Sequence, residues 1–203
     1  MIVGTLPPPR FSTGDLLEQD VDFCYGSYYN SLWLYIDHIH QLGLRFDNSE
    51  EAVHQRKSFL IEHKIGVCDI VASAEREKID ASDLGMINPV LRDLVSYLKT
   101  YDKIDTLLFM GGNSKNGPEY FFRKHLREHH LKLKLVENEI PRIHQFELAS
   151  DKVTRTIKTV SLTSPSGSAN RAIGSMPLYK QLKQRDPKFS TFDFRILQYR
   201  EFI

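Results

Sequence analysis

The sequence lacks most of the features that mark secreted, membrane-bound or disulfide-stabilised proteins. Its 203 residues include two cysteines, Cys24 and Cys68, which lie far apart and form no CxxC motif. It has no apolar run near the ~18 residues of a transmembrane helix, no signal peptide and no lipidation motif. These absences predict reduced thiols and a cytoplasmic protein that does not enter membranes, with one disulfide as the alternative for the two cysteines.

Motifs for common cofactors and metals are also missing. The chain has no GxxxxGK[ST] loop for nucleotides and no glycine-rich dinucleotide fingerprint. Ser166 is not preceded by the glycine of a nucleophile elbow. His125 and His129 have the spacing of one helix face, but no HExxH motif accompanies them, and neighbouring basic residues would oppose a cation. We therefore expect a solvated basic helix face at these histidines, and neither a metal nor a cofactor.

The composition of the chain is that of an ordinary globular protein, but its charged residues are unevenly distributed along the sequence. It is 41% hydrophobic and 26% charged, with a net charge of +1. The length and the absence of a linker predict one monomeric domain over residues 1–203. Residues 151–203 hold ten Lys/Arg against four Asp/Glu, which suits a polyanion such as DNA, although a solvated helix surface explains the same pattern. Strand-like residues at the very start suggest that a natural N-terminal segment precedes them.

Four short apolar runs alternate with helical patterns. The patterns predict strands over 1–5, 65–71, 104–110 and 156–162, and helices over 30–42, 49–63, 89–101, 118–130, 176–184 and 191–201. This order predicts an α/β three-layer sandwich with a central four-stranded, mainly parallel sheet flanked by helices. Because loops that follow parallel strands emerge at one edge of a sheet, we expect four loops to converge there: 4–9, 69–76, 111–117 and 163–170.

The last of these loops is rich in small hydroxyl side chains. Ser164, Ser166 and Ser168 fall within seven residues that also hold a proline and a glycine. Such a loop binds a phosphate through its hydroxyls and backbone amides. An ordinary surface turn is the alternative, because the same residues favour turns.

Two further segments offer chemistry. Tyr25 and Trp33 flank Asn30 in an aromatic stretch, where rings stack on a base and an amide reads a base edge or orients a water. A cap by Asn30 on the following helix, with Trp33 in the core, is the alternative and is compatible with that role. Asp69 ends an apolar strand, so its desolvated carboxylate acts as a base or charge stabiliser, or else caps a turn. The acidic run over residues 15–22 is interpreted as a solvated loop.

Three of these segments together resemble motifs of the uracil-DNA glycosylase superfamily, in particular its mismatch-specific and hypoxanthine-type branch. Ile2-Val3-Gly4-Thr5-Leu6-Pro7 is similar to the first motif, a strand that ends in Gly-x-x-Pro. Asn30-Ser31-Leu32-Trp33 is similar to an Asn-x-Phe-Trp element. Thr163-Ser164-Pro165-Ser166-Gly167-Ser168 occupies the place of the second motif, which presses on the DNA minor groove. The resemblance covers nearly the whole chain.

The resemblance implies a monofunctional DNA glycosylase of base excision repair. Such an enzyme hydrolyses the N-glycosidic bond of a flipped uracil- or hypoxanthine-class base without a cofactor. It implies that Asn30 and Asp69 handle the attacking water. The implied base-binding residues are Gly4, Leu6, Pro7, Tyr25, Trp33 and Asn113, and the implied DNA-binding residues are Ser164, Ser166, Ser168, Asn170 and Arg171.

Two departures from the family pattern lead to rival hypotheses. Leu6 stands where many members carry Asp or Asn, and the second motif lacks its common histidine. These losses favour a catalytically inert DNA-binding module of the same fold. A small-molecule hydrolase with a serine nucleophile is a further alternative, and it requires a serine paired with a histidine.

Overall fold

A computed structural model of the chain describes residues 1–76, 78, 80, 82–150 and 153–203. Its elements, in chain order, are β1 (Ile2–Gly4), α1 (Arg10–Thr13), α2 (Leu32–His40), α3 (Glu50–Glu62), β2 (Val67–Asp69), β3 (Val71–Arg76), β4 (Met86–Leu91), α4 (Leu94–Thr100), β5 (Thr106–Phe109), α5 (Pro118–Glu128), β6 (Lys134–Glu137), β7 (Arg142–Ala149), β8 (Thr154–Ser161), α6 (Asn170–Ser175), α7 (Pro177–Arg185) and α8 (Thr191–Arg200).

The chain divides into two compact units, each made of two separated stretches. The sheet unit comprises Met1–Thr13 and Ile65–Leu162, and the helical unit comprises Gly14–Lys64 and Thr163–Ile203. The expected single domain over residues 1–203 stays a prediction. Among the described residues, no helix is long and apolar enough to cross a membrane, and Cys24 and Cys68 form no disulfide.

A six-stranded sheet in the order β2-β1-β5-β8-β7-β6 forms the centre of the sheet unit. The first four strands are parallel neighbours, whereas β7 and β6 add antiparallel pairs. This confirms the α/β class with a mainly parallel central sheet, and the four predicted strands are its parallel members. The predicted count of four was wrong because β6 and β7 were not predicted. β6 is exposed at all four residues and shows no apolar alternation. β7 buries His144, Phe146 and Leu148 in alternation, a strand pattern that the prediction overlooked.

Two helices cover the sheet with large apolar side chains. The core of the unit joins Leu94 and Leu98 of α4 and Phe122 of α5 to Val3 and Phe109 of the sheet. The ring centroids of Phe109 and Phe122 lie 5.2 Å apart. Burial of aromatic rings of this size is the main favourable contribution to such a core.

The structure corrects two predicted boundaries in the sheet unit. Residues 69–76 were predicted as a loop, but Val71–Arg76 forms β3, which pairs antiparallel with β4 in a separate two-stranded sheet. The helix predicted from residue 89 begins at Leu94, after β4. Asp93 caps it by accepting a hydrogen bond from the Ser96 N–H at 2.9 Å. The sequence at Pro89 resembled a helix start because proline is common there.

The solvated histidine face predicted on α5 is also wrong for one of its two residues. His125 is only 4% exposed, while His129 is partly exposed. The reason is that α5 turns His125 toward the first residues of α4, where it accepts a hydrogen bond from the Val95 N–H at 3.3 Å.

The helical unit is held together by aromatic packing between α2, α3 and α8. The Tyr35 ring lies 5.2 Å from that of Tyr199, and the Trp33 ring lies 6.1 Å from that of Phe59. Ser190 caps α8 in a capping box with Asp193, as the serine pattern predicts. The predicted helices over 30–42, 49–63, 118–130, 176–184 and 191–201 are confirmed within about two residues, the usual uncertainty of helix ends.

Candidate functional site

The helical unit contains a pocket with a volume of about 200 Å³. An apolar cavity of about 150 Å³ is large enough for benzene, so this pocket has room for one six-membered ring. Three residues of the predicted aromatic stretch, Tyr25, Asn30 and Trp33, lie in its wall. Its lining includes Tyr25, Ser27, Asn30, Trp33, Phe46 and Arg56.

A buried carboxylate shapes the loop that forms one side of the pocket. Asp20 is fully buried, and it accepts hydrogen bonds from the Leu17 N–H at 2.9 Å and the Tyr28 N–H at 2.7 Å. The expectation that residues 15–22 form only a solvated loop is therefore wrong at Asp20. Sequence reasoning missed it because a charged residue in a polar run carries no pattern that signals burial.

The same loop contains two unusual backbone positions. Tyr25 adopts a left-handed conformation with φ of 57°, which costs a residue other than glycine free energy and is enriched at functional sites. At Gly26, an added Cβ would lie 1.9 Å from the Val21 carbonyl oxygen. The backbone that presents Tyr25 to the pocket therefore requires glycine at the next position.

Trp33 belongs both to the core and to the pocket wall. Its side chain is 2% exposed, and its indole Nε1–H donates a hydrogen bond to the Cys24 carbonyl at 2.8 Å. This confirms the core interpretation of Trp33. The indole is held firmly, so it offers a rigid surface to anything in the pocket.

Asn30 uses one end of its side chain for structure and leaves the other end available. Its Oδ1 accepts a hydrogen bond from the Leu32 N–H at 3.0 Å, at the start of α2. The cap residue of α2 is Ser31, so the predicted cap by Asn30 was wrong by one residue, and the Asn30 side chain instead bonds the backbone of the first helical residue. The Nδ2 group donates no hydrogen bond to any residue in the described part of the chain. Asn30 therefore presents an amide N–H₂ at the pocket wall.

The serine loop lies directly beside Asn30. An isolated antiparallel bridge pairs Asn30 with Ser166, and the Ser31 N–H donates to the Pro165 carbonyl at 3.1 Å. Two motifs more than 130 positions apart in the sequence thus share a backbone contact. The structure therefore joins the second and third segments of the proposed resemblance in one unit.

A buried arginine fixes the shape of this loop. Arg195 of α8 is 2% exposed, and its guanidinium donates to the carbonyl oxygens of Ser164 at 2.9 Å and Ser166 at 3.0 Å. A third bond, of 2.8 Å, reaches Oδ1 of Asn170, so this side chain, predicted to probe DNA, has a structural partner. Sequence reasoning missed Arg195 because nothing in its local pattern separates it from the other basic residues of the region.

The three serines of the loop bond mainly to one another and to backbone amides. The Ser166 N–H donates to Oγ of Ser164 at 3.3 Å, and the hydroxyls of Ser166 and Ser168 lie 3.0 Å apart. Among the described residues, none of these hydroxyls forms a hydrogen bond with an imidazole, which is the serine–histidine pair that a serine hydrolase requires. Ser168 and Arg171 are exposed, whereas Ser164 and Ser166 are partly buried.

Arg56 is the residue of the pocket that sequence reasoning missed most clearly. It is fully buried, and its Nη1 donates to the carbonyls of Arg45 at 2.8 Å and Ala52 at 2.7 Å. Its Nε has no hydrogen-bond partner among the described residues. The sequence did contain a signal that Arg56 is buried. Ala52, Arg56 and Phe59 occupy the i, i+4 and i+7 positions of one buried helix face.

The guanidinium of Arg56 remains a cation in this environment. It lies over the rings of Trp33 and Phe46, 5.4 and 4.9 Å from their centroids. Burial lowers the pKa of Arg56 to about 10, and Asp37 and Asp47 oppose that decrease from a distance. Because this pKa is well above 7, the pocket wall carries a positive charge at neutral pH. A bound group with a negative charge or a carbonyl oxygen would be stabilised there.

The other predicted residues lie in the sheet unit. Gly4 is buried at the end of β1 and pairs in register with Asp69 at the end of β2. Burial raises the pKa of Asp69 to about 6, and the charge of Arg92 opposes the rise. Asp69 thus has the desolvated carboxyl group that its position after an apolar strand predicts.

A second carboxyl group near Asp69 was not predicted. Asp83 accepts a hydrogen bond from the Thr5 hydroxyl at 3.1 Å. Burial raises the pKa of Asp83 to about 6; the Thr5 bond and Arg76 oppose the rise, and the charge of Asp69 adds to it. No sequence signal links Asp83 to Asp69, because the two are brought together only by tertiary structure.

Three further predicted base-binding residues lie in the sheet unit, and their contact with a base stays a prediction. Leu6 packs against the hydrophobic core, and Pro7 and Asn113 are exposed. Asn116, near Asn113 in the same loop, was not predicted as a site residue. It is buried, and its Nδ2 donates a hydrogen bond to the Asp83 carbonyl at 2.9 Å.

Loops after β1, β2 and β5 leave the sheet at one edge, as predicted. Residues 163–170 belong to the helical unit, so the convergence of the fourth loop stays a prediction.

Comparisons with models of protein families, with curated proteins and with solved structures give no match for this chain. The resemblance to the uracil-DNA glycosylase superfamily therefore stays a hypothesis.

Proposed function

We propose that the chain is a DNA glycosylase-like hydrolase that removes a deaminated or mismatched base of the uracil or hypoxanthine class from DNA. The observation that supports this most strongly is the pocket of the helical unit. Its wall contains Asn30, which bonds through its backbone to the serine loop, together with Tyr25, Trp33 and the cationic Arg56. Aromatic walls and a polar edge are what a flipped base requires.

The volume of the pocket suits one base. It is about 200 Å³, more than the ~150 Å³ of a cavity that accommodates benzene. Stacking of a base on an aromatic side chain contributes roughly 1–3 kcal/mol. Trp33 is fixed by its bond to Cys24, so this contact requires little loss of side-chain entropy.

In the proposed reaction, water attacks the sugar carbon as the glycosidic bond breaks. The electron pair of that bond goes to the base nitrogen, and the proton released by the water ends on the base or in solvent. Asn30 positions the attacking water through its amide group. Positioning of this kind lowers the barrier because the water is already oriented in the ground state.

Arg56 supplies the charge that the departing base needs. A base that leaves with the bonding pair is an anion, and the family's second-motif histidine, which would stabilise it, is missing from this sequence. A buried guanidinium in the pocket wall performs the same electrostatic task, and preorganised charge in a site shielded from water is especially effective. This role depends on the lowered but still high pKa of about 10.

The basic segment of the helical unit is proposed to bind the DNA backbone. Residues 163–203 hold seven Lys/Arg against three Asp/Glu, and Lys180, Lys183 and Arg185 of α7 are exposed. Phosphate contacts position such a protein without reading sequence. The hydroxyls of Ser164, Ser166 and Ser168 would add neutral contacts to the phosphates that flank the flipped base.

Asp69 is the second candidate for handling the water. It belongs to the sheet unit, and its pKa of about 6 leaves it mostly ionised at neutral pH. In that state it is able to act as a base toward a water molecule bound in the sheet unit. Asn30 is the first candidate because it lies in the pocket wall.

An inert DNA-binding module is the second candidate function. The observation that favours it is Leu6, which packs against the core and offers no polar group to a water molecule. Such a protein would recognise the altered base without releasing it.

A cleavage panel tests the proposed function. Duplexes that contain U·G, U·A, hypoxanthine·T or xanthine·C are incubated with excess protein and then treated with alkali, next to an undamaged duplex. We expect strand breaks at one or more of the altered bases and none in the undamaged duplex. Lesion-selective binding without cleavage would establish the inert module instead, and the absence of both would contradict the DNA-directed function.

A further inference from the structure

Three side chains of the sheet unit bring metal-ligating atoms together, remote in sequence from the glycosylase-like motifs. Asp93, His125 and His129 each offer one such atom, and these atoms all lie within 4.8 Å of one another. No sequence motif contains all three, because Asp93 is more than 30 positions before the histidines. The fold brings the carboxylate of Asp93 next to the two histidines.

The cluster is built at two helix ends. His125 lies on the last turns of α5 and His129 is its cap residue, so both project to the same side. Asp93 caps the start of α4 and is held there by Ser96, whose N–H donates to Oδ1 and whose hydroxyl donates to Oδ2 at 2.6 Å. The carboxylate is therefore oriented before any ligand arrives.

Two of the three distances in the cluster match those around a tetrahedral ion. Nε2 of His125 lies 3.2 Å from Oδ1 of Asp93, and Nε2 of His129 lies 3.5 Å from the same oxygen. Zinc bonds of about 2.0–2.1 Å to nitrogen and oxygen place neighbouring ligand atoms about 3.4 Å apart. The two histidine ligand atoms lie within 4.8 Å of each other.

The position of Nε2 of His125 adds a geometric argument. This atom accepts a hydrogen bond from the Val95 N–H at 3.3 Å and also lies 3.2 Å from Oδ1 of Asp93. A cation placed between Nε2 and Oδ1 has both atoms as ligands.

The opposite side of the His125 ring lies near a second carboxylate. Nδ1 lies 3.7 Å from Oε2 of Glu128, which is longer than a hydrogen bond. Histidine ligands commonly place their second nitrogen near an acceptor, and Glu128 adds negative charge beside the cluster. His125 is buried, whereas Asp93 is exposed, which leaves the site open to solvent on one side.

We propose that Asp93, His125 and His129 bind one Zn²⁺ ion, with water in the fourth position. Two imidazoles and one carboxylate are a ligand set that zinc favours among the common divalent ions. The ion joins the end of α5 to the start of α4 and so stabilises this part of the sheet unit. The site goes beyond the proposed glycosylase function and does not depend on it.

Titration with Zn²⁺ and Co²⁺ tests the site. The full chain, freed of any histidine tag and treated with chelator, is titrated calorimetrically with Zn²⁺, and Co²⁺ is followed by its visible absorption. The variants are Asp93→Asn, which preserves the helix cap, and His129→Asn. His130→Asn is the matched control, because His130 is the adjacent, exposed histidine outside the cluster.

We expect one Zn²⁺ per chain, a Co²⁺ spectrum of a four-coordinate ion, and a higher thermal midpoint with Zn²⁺ because the ion binds only the folded state. Asp93→Asn and His129→Asn should each weaken binding at least tenfold, and His130→Asn should leave it unchanged. Affinity weaker than about 100 µM, roughly 5 kcal/mol, would overturn the proposal. Binding that survives His129→Asn in a folded protein would also overturn it, because the ion would then lie elsewhere.

Discussion

The two units differ in the charged groups beside their candidate site residues. The sheet unit holds two carboxyl groups, Asp69 and Asp83, whose pKa values burial raises to about 6. The helical unit buries the guanidinium groups of Arg56, in the pocket wall, and Arg195, beside the serine loop, and its buried carboxylate, Asp20, accepts hydrogen bonds from backbone amides. The electrostatic environment for an anion is therefore unfavourable at the carboxyl pair and favourable in the pocket of the helical unit.

For the proposed hydrolysis, this difference indicates which step each unit suits. A departing base anion and a DNA phosphate both require positive charge or hydrogen-bond donors, which the helical unit offers. A carboxyl group that titrates near pH 6 instead exchanges protons under mild conditions. The resemblance to glycosylase motifs placed Asn30 of the helical unit and Asp69 of the sheet unit in one site. It did not separate stabilisation of an anion from exchange of a proton.

The largest effect should come from the backbone of the pocket loop. Gly26→Ala places a methyl group 1.9 Å from the Val21 carbonyl oxygen, so the loop must move or the fold weaken. We expect the free energy of unfolding to fall by about 3 kcal/mol, as in severe overpacking. Gly167→Ala is the control, because an added Cβ there meets no atom within 4 Å. Equal denaturation midpoints for the two variants would show that the loop differs from the one described.

The charge of the pocket is tested by Arg56→Gln. Removing the guanidinium should slow base excision about 30-fold, which corresponds to roughly 2 kcal/mol of lost stabilisation of the base anion. The rate is measured in single turnover, below the thermal midpoint of the variant. Arg45→Gln is the matched control, because Arg45 pairs with Asp47 at the surface. A similar loss in both variants would indicate a general electrostatic effect and contradict a specific role of Arg56.

The carboxyl pair should appear in the pH dependence of stability. Because the pKa of Asp69 is about 6 in the folded chain and 3.8 is its reference value, the folded state binds the proton more tightly. Its stabilising contribution is present below about pH 4 and is lost as the pH rises through 6. Asp69→Asn should thus raise the free energy of unfolding by about 1–2 kcal/mol at pH 7.5 and change it little at pH 4.

Urea denaturation at the two pH values measures this effect. Asp102→Asn, an exposed aspartate of the same unit, serves as control and should show no such dependence. Stabilisation by Asp69→Asn of the same size at both pH values would contradict the assignment of a raised pKa.

The smallest effect is expected at Asn113. Its side chain is exposed and forms no hydrogen bond with the described residues, so Asn113→Ala should change excision by less than about twofold and stability by less than ~0.5 kcal/mol. A large loss of excision with unchanged stability would restore its predicted contact with the base.

The sequence predicted most of the elements whose residues repeat a simple pattern, but not β7, which buries His144, Phe146 and Leu148 in alternation. The four parallel strands and the Ser190 cap follow from apolar runs and a serine at a helix start. The edge strand β6 was missed because its exposed residues do not alternate. Alternation of apolar and polar residues indicates a strand only when one face of that strand is buried. An edge strand that is exposed on both faces shows no such alternation.

The pocket was predicted in part for a similar reason. Tyr25, Asn30 and Trp33 are close in sequence, so their proximity in space could be anticipated. Arg56, Arg195 and Asp83 reach their places through long-range packing, and a single sequence contains no signal for such contacts. Asp20 shows the same limit, since its burial depends on the two backbone amides that the folded loop brings to it.

The most direct test of the central claim is single-turnover excision by Asn30→Ser on the duplex that the wild-type protein cleaves best. Serine retains an oxygen for the Leu32 N–H at the start of α2 but removes the amide that we propose orients the water. Asn48→Ser, at a residue whose amide donates to the Leu17 carbonyl, is the matched control. The account predicts that Asn30→Ser loses about 100-fold in rate while its affinity for lesion DNA and its thermal midpoint stay near those of wild type. Excision by Asn30→Ser at the wild-type rate would contradict the account.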